Sequence, residues 1–353
     1  MSMKKIKFCI ALLLSTSSIC AYAQTDAASL LKAGDQYLSA GKAADAELAY
    51  SKVVEQQAKS IPALQGLASI EIYRGNDQKA TAYLKEIISV DSSNVEAYKK
   101  LASLYSGPRD STIKVNYLLK GYAQNPTDAD VIASLGDIYL NKAKFKEINQ
   151  LLQPALKADS LNMRLHRLSM LANLGEKKYG DVVRTGKLLL AMGDSSGTVF
   201  NAMGRAHFWL LDYQVALKYF LKARDTGITD PSLDYHVARC YRSLKDHKNA
   251  VPYLNKVIEA GVSPKMASYY GLLGEAYEGM GKYNDALAAF KKGLDFENNG
   301  SLYYNMALVY ENRLNDKKNA IANYNLYLKN GKETGKNPKL AAFIKNKVEE
   351  LKR

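Results

Sequence analysis

The sequence predicts an all-α fold: a solenoid of about nine antiparallel helix pairs, ending in a C-terminal capping helix. Three observations predict it. A fixed pattern of large and small residues returns every 34 residues along most of the chain. Each period holds two short amphipathic segments with a turn signal between them. Residues 337–353 carry a separate apolar stripe behind a capping signal.

The chain opens on what reads as an export signal over residues 1–23. Lys4, Lys5 and Lys7 form a basic start, and Phe8–Leu14 is an apolar run too short to span a bilayer. Ala21-Tyr22-Ala23 then supplies the small-x-small cleavage pattern, which makes Gln24 the expected mature N-terminus. Cys20 invites a lipoprotein reading, but Ile19 before it is not the small residue that lipidation favours. The expectation is an exported protein, in a bacterial periplasm or associated with the outer membrane.

The period is clearest from Ala267 to Gly300. Large residues stand at places 4, 7, 11, 17 and 24 (Tyr270, Leu273, Tyr277, Tyr283, Phe290). Small ones stand at places 8, 15 and 20 (Gly274, Gly281, Ala286). Small residues let two helix backbones approach, and large ones fill the space beside them. Stepping by the period puts repeat starts at Ala27, Ile61, Val95, Ala129, Met163, Gly197, Pro231, Ala267 and Gly300. The step to Ala267 carries extra residues around Ser263-Pro264, and the last repeat carries one in its turn. Place 8 is Gly or Ala in every repeat but the fifth, where it is Met170. Place 20 is Ala in six repeats, and place 24 is large in all but the fifth, which has Gly186.

This spacing resembles the tetratricopeptide repeat over residues 27–331. The resemblance implies a right-handed α-α superhelix whose first helices line a concave, partner-binding groove. One subgroup clamps acidic chaperone tails with Lys at place 5 and Asn at place 9 of its first repeat. Here the first repeat has Leu31 and Asp35, and the third has Lys99 but Ser103, so that partner class is not carried over.

Two repeats depart from the pattern. The third has Ser106-Gly107-Pro108-Arg109-Asp110 as its turn and Lys114 at place 20. The fifth has Met170 and Gly186. Looser packing is the expectation at both. Beyond a polar linker, Asn337-Pro338 is a helix start, and Leu340, Phe343, Ile344, Val348 and Leu351 recur at helical spacing. This helix is expected to cover the open core of the last repeat.

Net charge is +14, and removing the three signal lysines leaves +11. Residues 329–353 alone hold eight basic and three acidic side chains, so much of the excess is terminal. Cys9 and Cys20 leave with the signal; only Cys240 remains, which excludes an intramolecular disulfide in the mature chain.

Chemistry is sparse. His166, His207, His236 and His247 show no metal-ligand spacing, and His207 and His247 fall at places that usually pack. Gly180–Lys187 has the wrong spacing for a phosphate loop, with Leu188 where Ser or Thr is needed. No catalytic constellation, metal site or cofactor site is expected, and the tyrosines at places 11, 17 and 24 are assigned to the core.

The expected working surface is the first-helix face at places 2, 5, 9 and 12. Repeats five to seven place Arg164, Arg167, Arg205, Arg239 and Arg242 there, with Phe208, Trp209 and Tyr235 among or beside them. Arginine forks pair with carboxylates, and aromatics supply contact area at low entropy cost. Repeats eight and nine carry Glu275, Glu278 and Glu311 instead, so a bipolar face is expected. The expected function is a non-enzymatic scaffold holding a partner protein or acidic peptide. The alternative is association with a membrane or cell-wall surface through the basic excess and the terminal helix. Export excludes nucleic acid as a partner.

Overall fold

The computed structural model describes residues 26–107, 110–261, 263–330 and 335–353. The expected export signal, Pro108-Arg109 in the third turn and most of the linker before Asn337 lie outside the described residues. The described residues are helical, with no strand among them. Contacts divide the chain into two compact units between Leu168 and Ser169.

The first unit contains α1 (26–39), α2 (Ala43–Gln56), α3 (Ile61–Tyr73), α4 (Asp77–Val90), α5 (Val95–Leu104), α6 (Ser111–Gln124), α7 (Ala129–Asn141), α8 (Phe145–Ala158) and the start of α9 (Met163–Gly175). The second contains the rest of α9, α10 (Tyr179–Ala191), α11 (Gly197–Trp209), α12 (Tyr213–Asp225), α13 (Pro231–Ser243) and α14 (His247–Glu259). It continues through α15 (Met266–Gly279), α16 (Tyr283–Leu294), α17 (Gly300–Asn312), α18 (Lys317–Lys329) and α19 (Pro338–Lys352).

The recurring contact inside a pair joins place 8 to place 24. A Cβ built on Gly34 would lie 2.5 Å from the Tyr50 ring. On Gly204 it would lie 2.6 Å from Phe220, and on Gly274 it would lie 2.4 Å from Phe290. Each ring therefore fills the space that a missing side chain leaves, and Tyr50, Phe220 and Phe290 are fully buried. The alanines at place 20 (Ala46, Ala80, Ala216, Ala250, Ala286, Ala320) are likewise fully buried.

The fifth repeat packs differently. Met170 at place 8 is fully buried, in one cluster with Val182, Leu189 and Met203. Gly186 at place 24 makes room for Met203, whose sulfur would sit 2.1 Å from an added Cβ. The looser packing expected at this repeat is therefore corrected: Met170 is enclosed, and Met203 of the following helix fills the space beside Gly186. In the third repeat α5 stops at Leu104, and a cavity of about 440 Å³ opens between α4 and the turn, lined in part by Asp77, Thr81, Tyr105 and Asp110.

Most turns inside the pairs close in one way. The residue at place 15 takes the left-handed conformation (Gly41, Gly75, Ala143, Lys177, Leu211, Lys245, Gly281). The next amide donates back to the carbonyl at place 11, as in Lys42 N to Tyr37 O at 2.9 Å and Asp212 N to His207 O at 2.9 Å. The tyrosines at place 11 are not core as expected: Tyr37 is exposed, and Tyr139, Tyr241 and Tyr277 are half-buried. Only the rings at place 24 are fully enclosed.

At the C-terminus Asn337 Oδ1 accepts from the Leu340 amide at 3.1 Å and caps α19. Ile344 and Val348 pack with Ala320, Tyr324 and Tyr327. Phe343 is the exception in the expected stripe; one residue round from Ile344, it turns outward and is 58% exposed.

Candidate functional site

Six of the eight expected site residues lie in the second unit, on α11 and α13. Arg164 and Arg167 belong to the first. Arg205 and Arg239 occupy the same place on consecutive first helices. Arg239 lies over the aromatic group: its guanidinium carbon is 4.3 Å from the centre of the Phe208 ring, 5.6 Å from Tyr235 and 5.7 Å from Trp209. The stack fixes the guanidinium plane while its edges stay available to a carboxylate. Trp209 stacks on Tyr179 at 6.2 Å and meets Phe208 edge-on at 5.9 Å.

Phe208 requires a correction. It is buried in the core cluster that contains Phe220, Leu233 and Val237. It forms the floor beneath Arg239 and offers no open face of its own. Trp209 ends α11 half-exposed and is the aromatic a partner can reach.

Arg205 is exposed along its side chain, yet burial around the guanidinium holds it below the usual arginine range, opposed by Tyr179. His236 lies close to both arginines. Burial, then the charges of Arg205, Arg239 and Lys265, bring it down to about 4, so it is neutral at pH 7. Its ring stacks on Phe220 at 5.2 Å, and its Nδ1 has no hydrogen-bond partner among the described residues.

The other expected cations are engaged internally. Arg164 donates to Asp130 at 2.8 Å, and Lys99 shares that carboxylate at 3.2 Å. Arg167 is engaged as well. Arg242 pairs with Glu275 at 2.5 Å. The expected acidic half of the face is neutralised in the same way. Arg313 pairs with Glu278 at 3.3 Å, and Glu311 accepts from Tyr324 at 2.7 Å and pairs with Lys347 at 3.0 Å. The bipolar face is therefore corrected to one whose acids are bound to neighbouring helices.

These pairs follow a rule that the sequence contains. Partners lie one period apart: Arg164 and Asp130 by 34 residues, Arg242 and Glu275 by 33, Arg313 and Glu278 by 35. One period from Arg205 stands Arg239, a like charge. Among the described residues neither has an acidic partner.

Beside Arg239 is a cavity of about 310 Å³ on α13, α15 and α17. Tyr235 and Arg239 border it, Gly271, Leu272 and Leu302 line it, and Asn305 reaches it with Glu275. Sequence reasoning missed Gly271 and Asn305; the available signal was a glycine in mid-helix at place 5. Among the described residues no group of three His, Cys, Asp or Glu could hold a metal ion. Cys240 is buried, and burial pushes its thiol up to about 12, so it is not a ready nucleophile.

The sequence profile of the tetratricopeptide repeat matches residues 230–296, the stretch of α13–α16. Heat shock protein STI1 of Saccharomyces cerevisiae (strain ATCC 204508 / S288c) is 29% identical over 99 residues, which is 28% of this chain and 16% of that protein. The chain thus spans a small part of this curated relative. A chain of the APC/C hetero-tetramer Cut9-Hcn1 superposes with a TM-score of 0.50 at 17% identity, covering 86% of this chain and 59% of that one. That likeness speaks to the fold alone.

Proposed function

We propose that this chain, which belongs to the tetratricopeptide-repeat family, is an exported, non-enzymatic scaffold that holds an acidic peptide, or an acidic loop of a partner protein, against α11 and α13. Proteins of this family bind protein or peptide partners. The observation that carries the finer reading is the unpaired state of Arg205 and Arg239. Two guanidinium groups stand at the same place on adjacent first helices, one partly dehydrated and one stacked on aromatics. A carboxylate would supply the counter-charge that both lack among the described residues and complete their hydrogen bonds at little ordering cost.

The test is a pull-down from cell-envelope extracts coupled to mass spectrometry. Wild type is expected to retain a discrete protein partner, and Arg205→Glu with Arg239→Glu to lose it. Arg164→Ala, which breaks an internal pair in the first unit, is expected to keep it. An unchanged partner list in the double variant rejects the assignment. Export is tested by fractionation and N-terminal sequencing, with Gln24 expected first in the mature chain.

A second reading, contact with an anionic membrane or wall surface, is favoured by the outward Phe343 beside Lys339 on α19. Co-sedimentation with anionic vesicles or peptidoglycan, with and without residues 336–353, tests it. Retained binding after the truncation excludes α19.

A further inference from the structure

Gly271 stands out among the helix-interior glycines. Gly34, Gly204 and Gly274 are required by rings pressed against them. Gly271 is not: an added Cβ would meet a single atom within 4 Å, Leu302 Cδ2 at 3.1 Å. A glycine in mid-helix costs helix stability, and here close packing does not require it. Its place on α13 is taken by Tyr235 and on α17 by Tyr304. Between two tyrosines, α15 carries no side chain, and the cavity of about 310 Å³ lies there.

We propose that this cavity is a specificity pocket that receives one uncharged side chain with a hydrogen-bonding tip, next to the carboxylate held by Arg205 and Arg239. The proposal rests on the acidic-peptide reading above and deepens it. Leu272 and Leu302 give apolar walls to the stem of such a side chain. Ser268, Ser301 and Asn305 offer neutral polar groups to its tip. The one carboxylate at the pocket, Glu275, is occupied by Arg242 at 2.5 Å and Asn305 at 3.5 Å. A cationic ligand side chain would lose water there without gaining a counter-ion, and an anionic one would find Arg239 at the border already engaged by the carboxylate of the arginine site. Arg239 borders both the pocket and the aromatic stack, so the acidic residue and the pocket residue are close neighbours in the bound peptide.

The experiment is an array of acidic heptapeptides, each with a Glu-Glu pair and one other position varied through all residue types, probed with the full chain. Wild type is expected to favour Tyr, Gln or Asn over Ala, Lys and Asp by about 10-fold at one offset from the pair. Gly271→Leu fills the pocket and is expected to erase that preference while binding to the Glu-Glu pair persists. Gly271→Ala, a single methyl, is expected to reduce the preference and keeps the test open if Gly271→Leu does not fold. Asn305→Ala is expected to shift selection toward Phe and Leu. A flat profile at every offset, or the wild-type preference surviving in folded Gly271→Leu, overturns the pocket while the arginine site stands. Absence of binding to every peptide sinks the acidic-peptide reading itself, and the pocket with it.

Discussion

If the pairing of place 8 with place 24 holds the helix pairs together, Gly204→Ala should destabilise the second unit, against the grain of helix propensity. In an unobstructed helix interior, Gly→Ala gains up to about 1 kcal/mol. At Gly204 the new Cβ would lie 2.6, 2.8 and 2.9 Å from three atoms of the Phe220 ring. That ring is fully buried and stacked on His236, so it cannot simply swing away. Overpacking of this kind costs about 1–3 kcal/mol. The net expectation is a loss of about 0–2 kcal/mol. Gly271→Ala is the internal control, with the same propensity gain and only one contact, at 3.1 Å to the end of Leu302. It should be neutral or slightly stabilising, so the two variants should differ by about 1–3 kcal/mol. Phe220→Ala alone should cost about 3–5 kcal/mol. In the double variant the new methyl enters vacated space, and the costs should fall short of additive by at least about 1 kcal/mol. Urea unfolding followed through Trp209, the single tryptophan and a reporter of the second unit, gives all four corners of the cycle. Equal stability of the two alanine variants, or strict additivity, would refute the reasoning.

Other expected outcomes follow from single contacts. His236, at about 4 in the folded chain, titrates near 6.5 when unfolded, so the unfolded state gains a proton first as pH falls. Stability of the second unit should drop between roughly pH 6.5 and 4, by up to ~3 kcal/mol, and His236→Phe should flatten that slope. Parallel slopes for the two proteins would exclude His236 as the cause. In the first unit Glu71 is buried, and burial raises its pKa, but hydrogen bonds from Asn76 and Arg74 and the charges of Lys79 and Arg74 outweigh it, leaving the carboxyl below its ordinary range. Its contribution is therefore present above about pH 4.3 and is lost as pH falls through the depressed value. Glu71→Ala, which leaves Asn76 without its acceptor while Arg74 keeps Glu47 at 2.7 Å, should cost about 1–3 kcal/mol, read by thermal melting at pH 7. On α19, Ile344→Ala should cost about 2–5 kcal/mol and Phe343→Ser no more than about 0.5, both by urea titration.

The architecture was legible because the period is written in residues of opposite size. Gly274 and Phe290 mean little apart; at the same spacing as Gly204 and Phe220, or Gly34 and Tyr50, they specify where two backbones meet. The fifth repeat misled because each place was judged alone, whereas Met170 and Gly186 make sense together with Met203 on the following helix. Phe208 misled for a geometric reason: a residue near the end of α11 can share the angular position of the binding face and still lie under the next first helix. Which arginines are free was hidden for another reason. Arg239 and Arg242 both stand about one period before Glu275, and only the structure shows that Arg242 takes it, which leaves Arg239 without an acid among the described residues.

That difference bears on how such a face can acquire a partner at all. Places 8, 20 and 24 are committed to packing between helices, and their residue types scarcely vary. Place 9 runs through Asp35, Ser69, Ser103, Asp137, Leu171, Arg205, Arg239, Glu275 and Leu308, and place 5 runs from Leu31 to Tyr304 by way of Gly271. These places hold a wider range of residue types than the packing places, although some of them, such as Asp35 with Tyr50 and Tyr304 with Tyr324, also make contacts between helices. Where opposite charges about one period apart pair, as Arg242 does with Glu275, the face is closed to ionic partners. Like charges one period apart cannot pair with each other, and that face remains open to a counter-charge from outside. Arg205 and Arg239 are the open case, and a reversal at either one should close it. Arg205→Glu alone should let Arg239 pair across the repeat, at a gain of at most about 1 kcal/mol in stability, and remove binding of an acidic ligand as fully as the double reversal. Thermal melting of Arg205→Glu, set beside the wild type and Arg205→Ala, separates this from simple loss of a contact. If Arg205→Glu melts below Arg205→Ala, the two helices do not bring these places into pairing distance, and the account of the open face fails.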